Sequence, residues 1–373
     1  MSFSTGCKKL LTNNGGRMKK ILLVDGIYEI NTRNKRIIDT LRKEYEVKFC
    51  AWNRENVKFG DNENYIYSSN EGYGKKIKKL FGMKNYLKFI KQVIKNYNPE
   101  IIIASQWDML LLTILSNFKG KIVYENLDLP TSSNKVILKV LLILEKLMIR
   151  KIDGILYASR FFMPLYNKYR GKKLILENLP LKEIDKKEFK IEKRKKLRIS
   201  FIGGLRYFET MKNLLLASKG NKTIEIYLIG KGPENDKFKK FIEEKKLENI
   251  FIIDGYKYED IKKLYLNTDF IWAVYPNKDY NVKFAISNKF FESILFEKPC
   301  FFASNTSLGN FVKQNNIGIT VDPYSVEEIK GKIEKLNKNT ILDLKENIKK
   351  YKENQKLYWE DNETKLLKFI NEI

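Results

Sequence analysis

The residues best suited to chemistry lie in the C-terminal half of the chain. Phe201-Ile202-Gly203-Gly204-Leu205-Arg206 has the form of a buried strand that ends in a glycine turn. Gly203 and Gly204 carry no side chain, so the backbone there can approach a phosphate, and a helix that follows offers free N–H groups. Arg206 presents a planar fork suited to bidentate contact with a diphosphate. Lys212, on the following helix, either adds a second positive charge or is a surface lysine. Gly230-Lys231-Gly232-Pro233 closes another strand, and Gly230 serves either a ligand or only the turn. Gly255-Tyr256-Lys257 follows the next strand, where Tyr256 and its neighbours can offer backbone contacts to a flat ring. Downstream, Ser287–Ala303 (SNKFFESILFEKPCFFA) reads as a short helix, a turn and a buried strand. Ser287 can cap that helix, and Phe290, Phe291, Ile294 and Leu295 form an apolar stripe at helical spacing. Glu292 stands between the aromatic and the aliphatic pair. A carboxylate buried there needs a partner; otherwise it lies at a solvent edge.

The elements that must position these residues follow from length and pattern. With 373 residues the chain is long enough for two domains. From Met18 onward strand and helix alternate. Apolar runs at Ile21–Asp25, Glu46–Ala51, Ile101–Ala104, Ile122–Glu125 and Gly154–Ala158 are separated by helical stretches, the first at Thr32–Glu44. Leu181–Lys196 is mostly charge and reads as a linker. A second alternation follows it: strands at Leu197–Ile202, Ile224–Ile229, Ile250–Ile253, Phe270–Val274 and Ile319–Val321, and helices at Glu209–Ser218, Asp236–Lys245, Tyr258–Asn267 and Val326–Leu336, with the segment Phe311–Asn315 ahead of the last strand. Leu342–Ile373 is read as a helical block with Trp359 in its middle. Such alternation predicts parallel sheets covered on both faces, with ligands beyond the carboxyl ends of the strands. Residues 1–17 are expected to be a disordered leader ahead of Met18.

Composition narrows the chemistry. A net charge of +26 and a pI near 9.6 favour anionic partners. There is no histidine, which excludes histidine metal sites, Ser-His-Asp triads and histidine general bases. Cys7, Cys50 and Cys300 have no metal-ligand or redox spacing, which fits a reducing cytoplasm. No Asp-x-Asp metal motif is apparent, and no metal is expected. No window of about 20 residues is free of charge, so no spanning helix is expected. Val136–Ile149 comes nearest, but Lys139, Glu145 and Lys146 interrupt it and it reads as a buried amphipathic helix. Lys75–Lys95 carries eight lysines and no acid. It is either a solvated helix whose other face is core, or a contact with anionic lipid.

The order of the C-terminal motifs resembles the nucleotide-sugar domain of GT-B fold glycosyltransferases, in particular the retaining enzymes of family 4. "FIGGLRY…MKNLL" looks like the family's first strand and phosphate loop. "YLIGKGP" looks like its Gly-x-Gly-Pro turn, and "LYLNTDFIWAVYP" is similar to the segment before its donor site. "SNKFFESILFEKPCFFAS" is similar to its donor helix, and "ILENLP" at Ile175–Pro180 to its hinge-proximal segment. The resemblance implies an α/β GT-B fold: two Rossmann-like, doubly wound domains facing a cleft. Residues 18–180 would form the acceptor domain and 181–345 the nucleotide-sugar domain. Residues 346–373 would form a helix crossing back to the N-terminal domain. By the same match Glu292 holds the ribose hydroxyls, and Ser287, Asn288 and Lys289 take the donor through the helix N-terminus. Asp128 touches the sugar or the acceptor. The chain departs from the family at Phe284, where many members carry a second glutamate, and in lacking a histidine in the N-terminal domain.

The expected activity is therefore transfer of a sugar from a nucleotide diphosphate sugar, a UDP-sugar first among them, with no further cofactor. The acceptor would be a glycan or lipid-linked glycan of cell-surface polysaccharide synthesis, as in capsule or lipopolysaccharide assembly. The enzyme would be cytoplasmic or peripheral at the inner membrane face. Retention lets the leaving phosphate oxygen take the acceptor proton; inversion would require a base, and Asp128 or Asp108 would be the candidate. The alternatives are a nucleotide-sugar epimerase, a non-catalytic GT-B scaffold, and a basic module for membrane or nucleic acid. Dispersed lysines and the lack of a recognisable motif speak against nucleic acid.

Overall fold

A computed structural model describes residues 17–55, 63–70, 76–191 and 193–373, without the side chains of residues 76–81. The expected leader up to residue 16, including Cys7, lies outside the described residues, as does Lys75.

The first half of the chain builds β1 (Lys20–Asp25), α1 (Thr32–Leu41), β2 (Glu46–Asn53), β3 (Tyr65–Ser68), α2 (Lys76–Tyr97), β4 (Ile101–Ser105), α3 (Trp107–Leu115), β5 (Lys121–Asn126), α4 (Lys135–Met148), β6 (Gly154–Tyr157) and β7 (Lys172–Ile175). The strands pair in parallel in the order β3-β2-β1-β4-β5-β6-β7. The second half builds β8 (Leu197–Ile202), α5 (Phe208–Ala217), β9 (Ile224–Ile229), α6 (Asn235–Lys245), β10 (Ile250–Ile253), α7 (Ile261–Leu266), β11 (Phe270–Ala273), α8 (Asn288–Leu295), β12 (Cys300–Ala303), α9 (Ser307–Gln314), β13 (Ile319–Val321) and α10 (Val326–Glu334). These strands are also parallel, in the order β10-β9-β8-β11-β12-β13. Two helices end the chain, α11 (Lys338–Glu353) and α12 (Glu360–Asn371).

Period-2 alternation explains why both sheets are buried on both faces. In β1, Leu22 and Val24 enter one core while Ile21 and Leu23 enter the other. In β11, Trp272 faces one core and Ile271 and Ala273 the opposite one. Each sheet reverses its winding once, between β1 and β4 and between β8 and β11. Crevices for ligands form at such points.

Several local expectations are corrected. Leu342–Ile373 is not one helix with Trp359 in its middle. It is broken between α11 and α12, and Trp359 stands immediately before α12. Ile348 of α11 packs in the C-terminal core, while Trp359, Leu366, Phe369 and Ile370 pack on the N-terminal sheet, so the chain crosses back at the break. Val136–Ile149 is not a buried helix either: within α4 only Glu145 and Met148 are buried. The helix expected at Thr32–Glu44 stops at Leu41, and Phe311 lies inside α9, which begins at Ser307 and is capped by Thr306. The short strands β3 and β7 were not expected. In α2, Tyr86, Ile90, Val93 and Tyr97 turn to the core and Lys84, Lys88, Lys91 and Lys95 to solvent. Among the described residues no helix is long and apolar enough to cross a membrane.

Candidate functional site

The loops after β8 and β11 meet at the winding reversal of the second sheet. Gly203 ends β8 with φ +149° and Gly230 ends β9 with φ +144°, in a region that favours glycine. A Cβ on Gly230 would lie 2.0 Å from the Gly203 carbonyl oxygen, and one on Gly203 would lie 2.9 Å from Lys289 Nζ. The missing side chains therefore let the two turns touch and let an ammonium sit beneath them. Gly230 thus packs the turn rather than standing free toward a ligand, whereas Gly204 is exposed.

Lys289 lies in the first turn of α8 and is only 7% exposed. Its Nζ donates to the Tyr275 hydroxyl at 3.0 Å and sits 4.4 Å from the centre of the Phe201 ring. Among the described residues no carboxylate forms an ion pair with it within 4.0 Å. A buried cation without a paired anion is costly, so this pocket is suited to an anionic ligand. Ser287 caps α8 as expected: its Oγ accepts from the Lys289 backbone N–H.

Glu292, one turn further on, is buried and has the partner its position requires. The Tyr265 hydroxyl donates to Oε2 at 2.6 Å, while the Tyr258 hydroxyl approaches Oε1 at 3.5 Å, too long for a strong bond. Burial raises the carboxyl pKa, opposed by the Tyr265 bond, by Lys289 and by Arg36. Oε1 therefore keeps capacity to accept from hydroxyl groups. Tyr256 lies near enough for the Glu292 charge to raise its pKa, in addition to the larger effect of its own burial.

The N-terminal half closes over this site. Arg36 of α1 donates to the Asn178 side chain at 2.6 Å, to the Leu179 carbonyl at 2.8 Å and to the Tyr258 hydroxyl at 3.3 Å. Asn178 in turn donates to the Asn288 side chain at 2.9 Å, so Asn288 meets the neighbouring half through its side chain. Asp128 accepts from Asn281 Nδ2 at 2.6 Å, and Asn281 Oδ1 accepts from the Leu129 N–H. Burial raises the Asp128 pKa, partly offset by Asn281 and by the Arg206 charge. Arg206 is itself exposed, 5.0 Å from the centre of the Tyr207 ring. Tyr207 has φ +64°, uncommon for a bulky residue.

Gly203, Ser287, Lys289 and Glu292 thus adjoin one another at the carboxyl end of the second sheet, with Tyr256 within electrostatic reach of Glu292 and Asp128 within that of Arg206. Lys212 is engaged elsewhere, in an ion pair with Glu209 at 2.5 Å on the surface of α5. Phe284 packs with Tyr280 against the N-terminal core, and its carbonyl accepts from Ser159 Oγ. Sequence reasoning missed Tyr275, Tyr265, Arg36 and Asn281. The two tyrosines lie inside a motif that had been noticed, but nothing in the sequence links Arg36 to Tyr258, 222 positions away.

Residues 182–355 match the sequence model of "Glycosyl transferases group 1". No curated protein sequence matches the chain significantly. Among solved structures, a sucrose-phosphate synthase from Thermosynechococcus elongatus superposes with TM-score 0.75 at 12% identity, covering 95% of this chain and 98% of that one. HepE from Anabaena, solved with UDP and glucose, gives 0.68 at 14% identity over 96% and 100%. WaaG, a glycosyltransferase involved in lipopolysaccharide biosynthesis, gives 0.66 at 13% identity over 93% and 99%. The chain has the GT-B fold, and its residues 182–355 are similar to the glycosyl transferases of group 1.

Proposed function

We propose that the protein transfers a sugar from a nucleotide diphosphate sugar, a UDP-sugar, to a lipid-linked glycan acceptor, with retention as in family 4. The observation that carries this is Lys289: a buried ammonium with no carboxylate in ion-pair distance among the described residues, under the Gly203 turn, at the winding reversal of a parallel sheet. The diphosphate lies against Lys289, the Gly203-Gly204 turn and the N-terminal amides of α8, with Arg206 at the open side. Glu292 Oε1 accepts from the ribose hydroxyls while Tyr265 holds Oε2. The base lies toward Tyr256. The acceptor oxygen bonds to the anomeric carbon as the bond from that carbon to the diphosphate breaks, and the acceptor proton passes to the departing phosphate oxygen. Charge grows on the diphosphate during this step, so the cations and amides favour the transition state over the bound donor. Asp128 faces the sugar or acceptor from the other half. HepE, solved with UDP-glucose, supports the choice of donor class. Apart from the donor, no cofactor is assigned.

A thermal-shift screen of UDP-, GDP-, CDP- and ADP-sugars tests this. A UDP-sugar should raise the melting temperature of the wild type, and Glu292→Ala should weaken its binding about tenfold or more. Tyr265→Phe, which removes the partner but not the carboxylate, should retain most of the shift. No shift with any nucleotide, or an unchanged response in Glu292→Ala, would sink the assignment. A donor-binding scaffold without turnover is the second reading, favoured by Phe284 in place of a family glutamate. Donor binding without transfer or donor hydrolysis would select it.

A further inference from the structure

The surface of α4 has no role in the donor site, and its composition is unusual for a solvated helix. Val136 is 73% exposed, Ile137 50%, Val140 58%, Ile143 51% and Leu147 50%. At 100° per residue these five occupy one sector of about 120°, and Lys135, Lys139 and Lys146 occupy an adjoining sector of about 40°, with Arg150 in the 3-10 turn that follows the helix. The remaining face is anchored: Glu145 accepts from the Tyr124 hydroxyl at 2.7 Å, and Met148 enters the core. The helix thus presents an aliphatic ridge bordered by a cationic strip.

A second feature continues this surface. At the far end of α4 a cavity of about 540 Å³ is lined by Lys146, Arg150, Lys168 and Arg170, and by no acidic residue. Among the described residues none of these four cations, nor Lys135 or Lys139, has an ion pair within 4.0 Å. At its other end α4 starts near the cleft: Thr131 Oγ1 donates to Asp279 of the C-terminal half at 3.3 Å.

We infer that α4 docks the protein on an anionic lipid bilayer. The ridge enters the interface, the cationic strip lies along the headgroups, and the basic cavity takes a headgroup phosphate. Charge decides between occupants. A second copy would bring its own cationic strip and cavity against these, on a chain already at +26, whereas anionic headgroups complement both. The inference moves the expected lipid contact from α2 to α4, because the described apolar residues of α2 pack inward. It deepens the lipid-linked acceptor reading, since a docked α4 sets the cleft beside the bilayer. It does not depend on donor chemistry.

The test is sedimentation of the full chain with vesicles of phosphatidylcholine, with and without phosphatidylglycerol, in the absence of nucleotide. The wild type should sediment with phosphatidylglycerol vesicles and be released by salt. Val140→Gln with Ile143→Gln should reduce the bound fraction about tenfold, and Lys139→Gln with Lys146→Gln about fivefold per cation. Thermal melting of each variant checks its fold, and the sugar-nucleotide shift should be retained, so failure here is distinct from failure of the donor site. The inference is overturned if the wild type stays in solution with anionic vesicles, or if the ridge variants bind like wild type. It is also overturned if the chain is a dimer that the ridge variants split, which would give the ridge to a second copy.

Discussion

Asp25 ends β1 beneath the cleft and is 3% exposed. It accepts from Asn34 Nδ2 at 2.6 Å and from Asn31 Nδ2 at 3.2 Å. Next to it Arg33 and Glu125 form a buried ion pair at 2.6 Å, with Ser105 donating to the other Glu125 oxygen. Burial, and then the Glu125 charge, push the Asp25 carboxyl from 3.8 up to about 7. The folded state therefore holds this proton where the unfolded chain has released it. Stability falls as pH rises from 3.8 toward about 7, by at most about 1.4 kcal/mol per pH unit from this group. Asp128, Glu145 and Glu292 are shifted in the same direction and share that sign. Denaturant midpoints followed across this range should show a shallower decline in Asp25→Asn than in the wild type. An equal slope would mean that Asp25 is already ionised in the folded protein.

At the scale of elements, the turns after β8 and β9 touch with no room for a side chain at Gly230. Gly230→Ala would drive a methyl group into the Gly203 carbonyl. We expect a loss of about 1–3 kcal/mol in thermal or denaturant unfolding, with a reduced sugar-nucleotide shift because Gly203 sits over Lys289. Full retention of both would show that the turns can separate freely. The joint also shows what the sequence made legible. The alternation of apolar runs and helical stretches revealed the central strands of both sheets, because those strands are buried on two faces, whereas the half-exposed edge strands β3 and β7 carry no such apolar run. The glycine turns and Glu292 were legible for the same local reason. What could not be read was pairing across the chain: Glu292 with Tyr265, Arg36 with Tyr258, Asp128 with Asn281. Side-chain partners brought together by tertiary packing leave no periodicity in sequence. The error at α4 has a different cause. Its apolar residues were assumed to face a core, and hydropathy carries no information on which side the core lies.

At the scale of the whole molecule, the two halves are joined twice. One connection runs from β7 through Asn178 and Pro180 to β8; the other runs from α11 to α12. They lie side by side: the Trp359 N–H donates to the Pro180 carbonyl at 2.8 Å, the Tyr358 hydroxyl donates to Asp185 at 2.9 Å, and the Lys182 N–H donates to Glu360. Trp359 is 1% exposed, and its Nε1 donates to Thr40 Oγ1 at 2.9 Å. Trp359→Ala should cost about 3–5 kcal/mol and release α12 from the N-terminal sheet, seen as faster proteolysis at the C-terminus together with a lower melting temperature. Unchanged protection of α12 would show that Leu366, Phe369 and Ile370 hold it without the indole. The paired crossing also has a mechanical meaning. A single tether lets two bodies swivel about any axis, but two adjacent tethers act like the two pins of a door and leave one easy rotation, about the line that joins them. A given rotation about that line displaces most the contacts farthest from it, so those on the opposite rim of the cleft would part first.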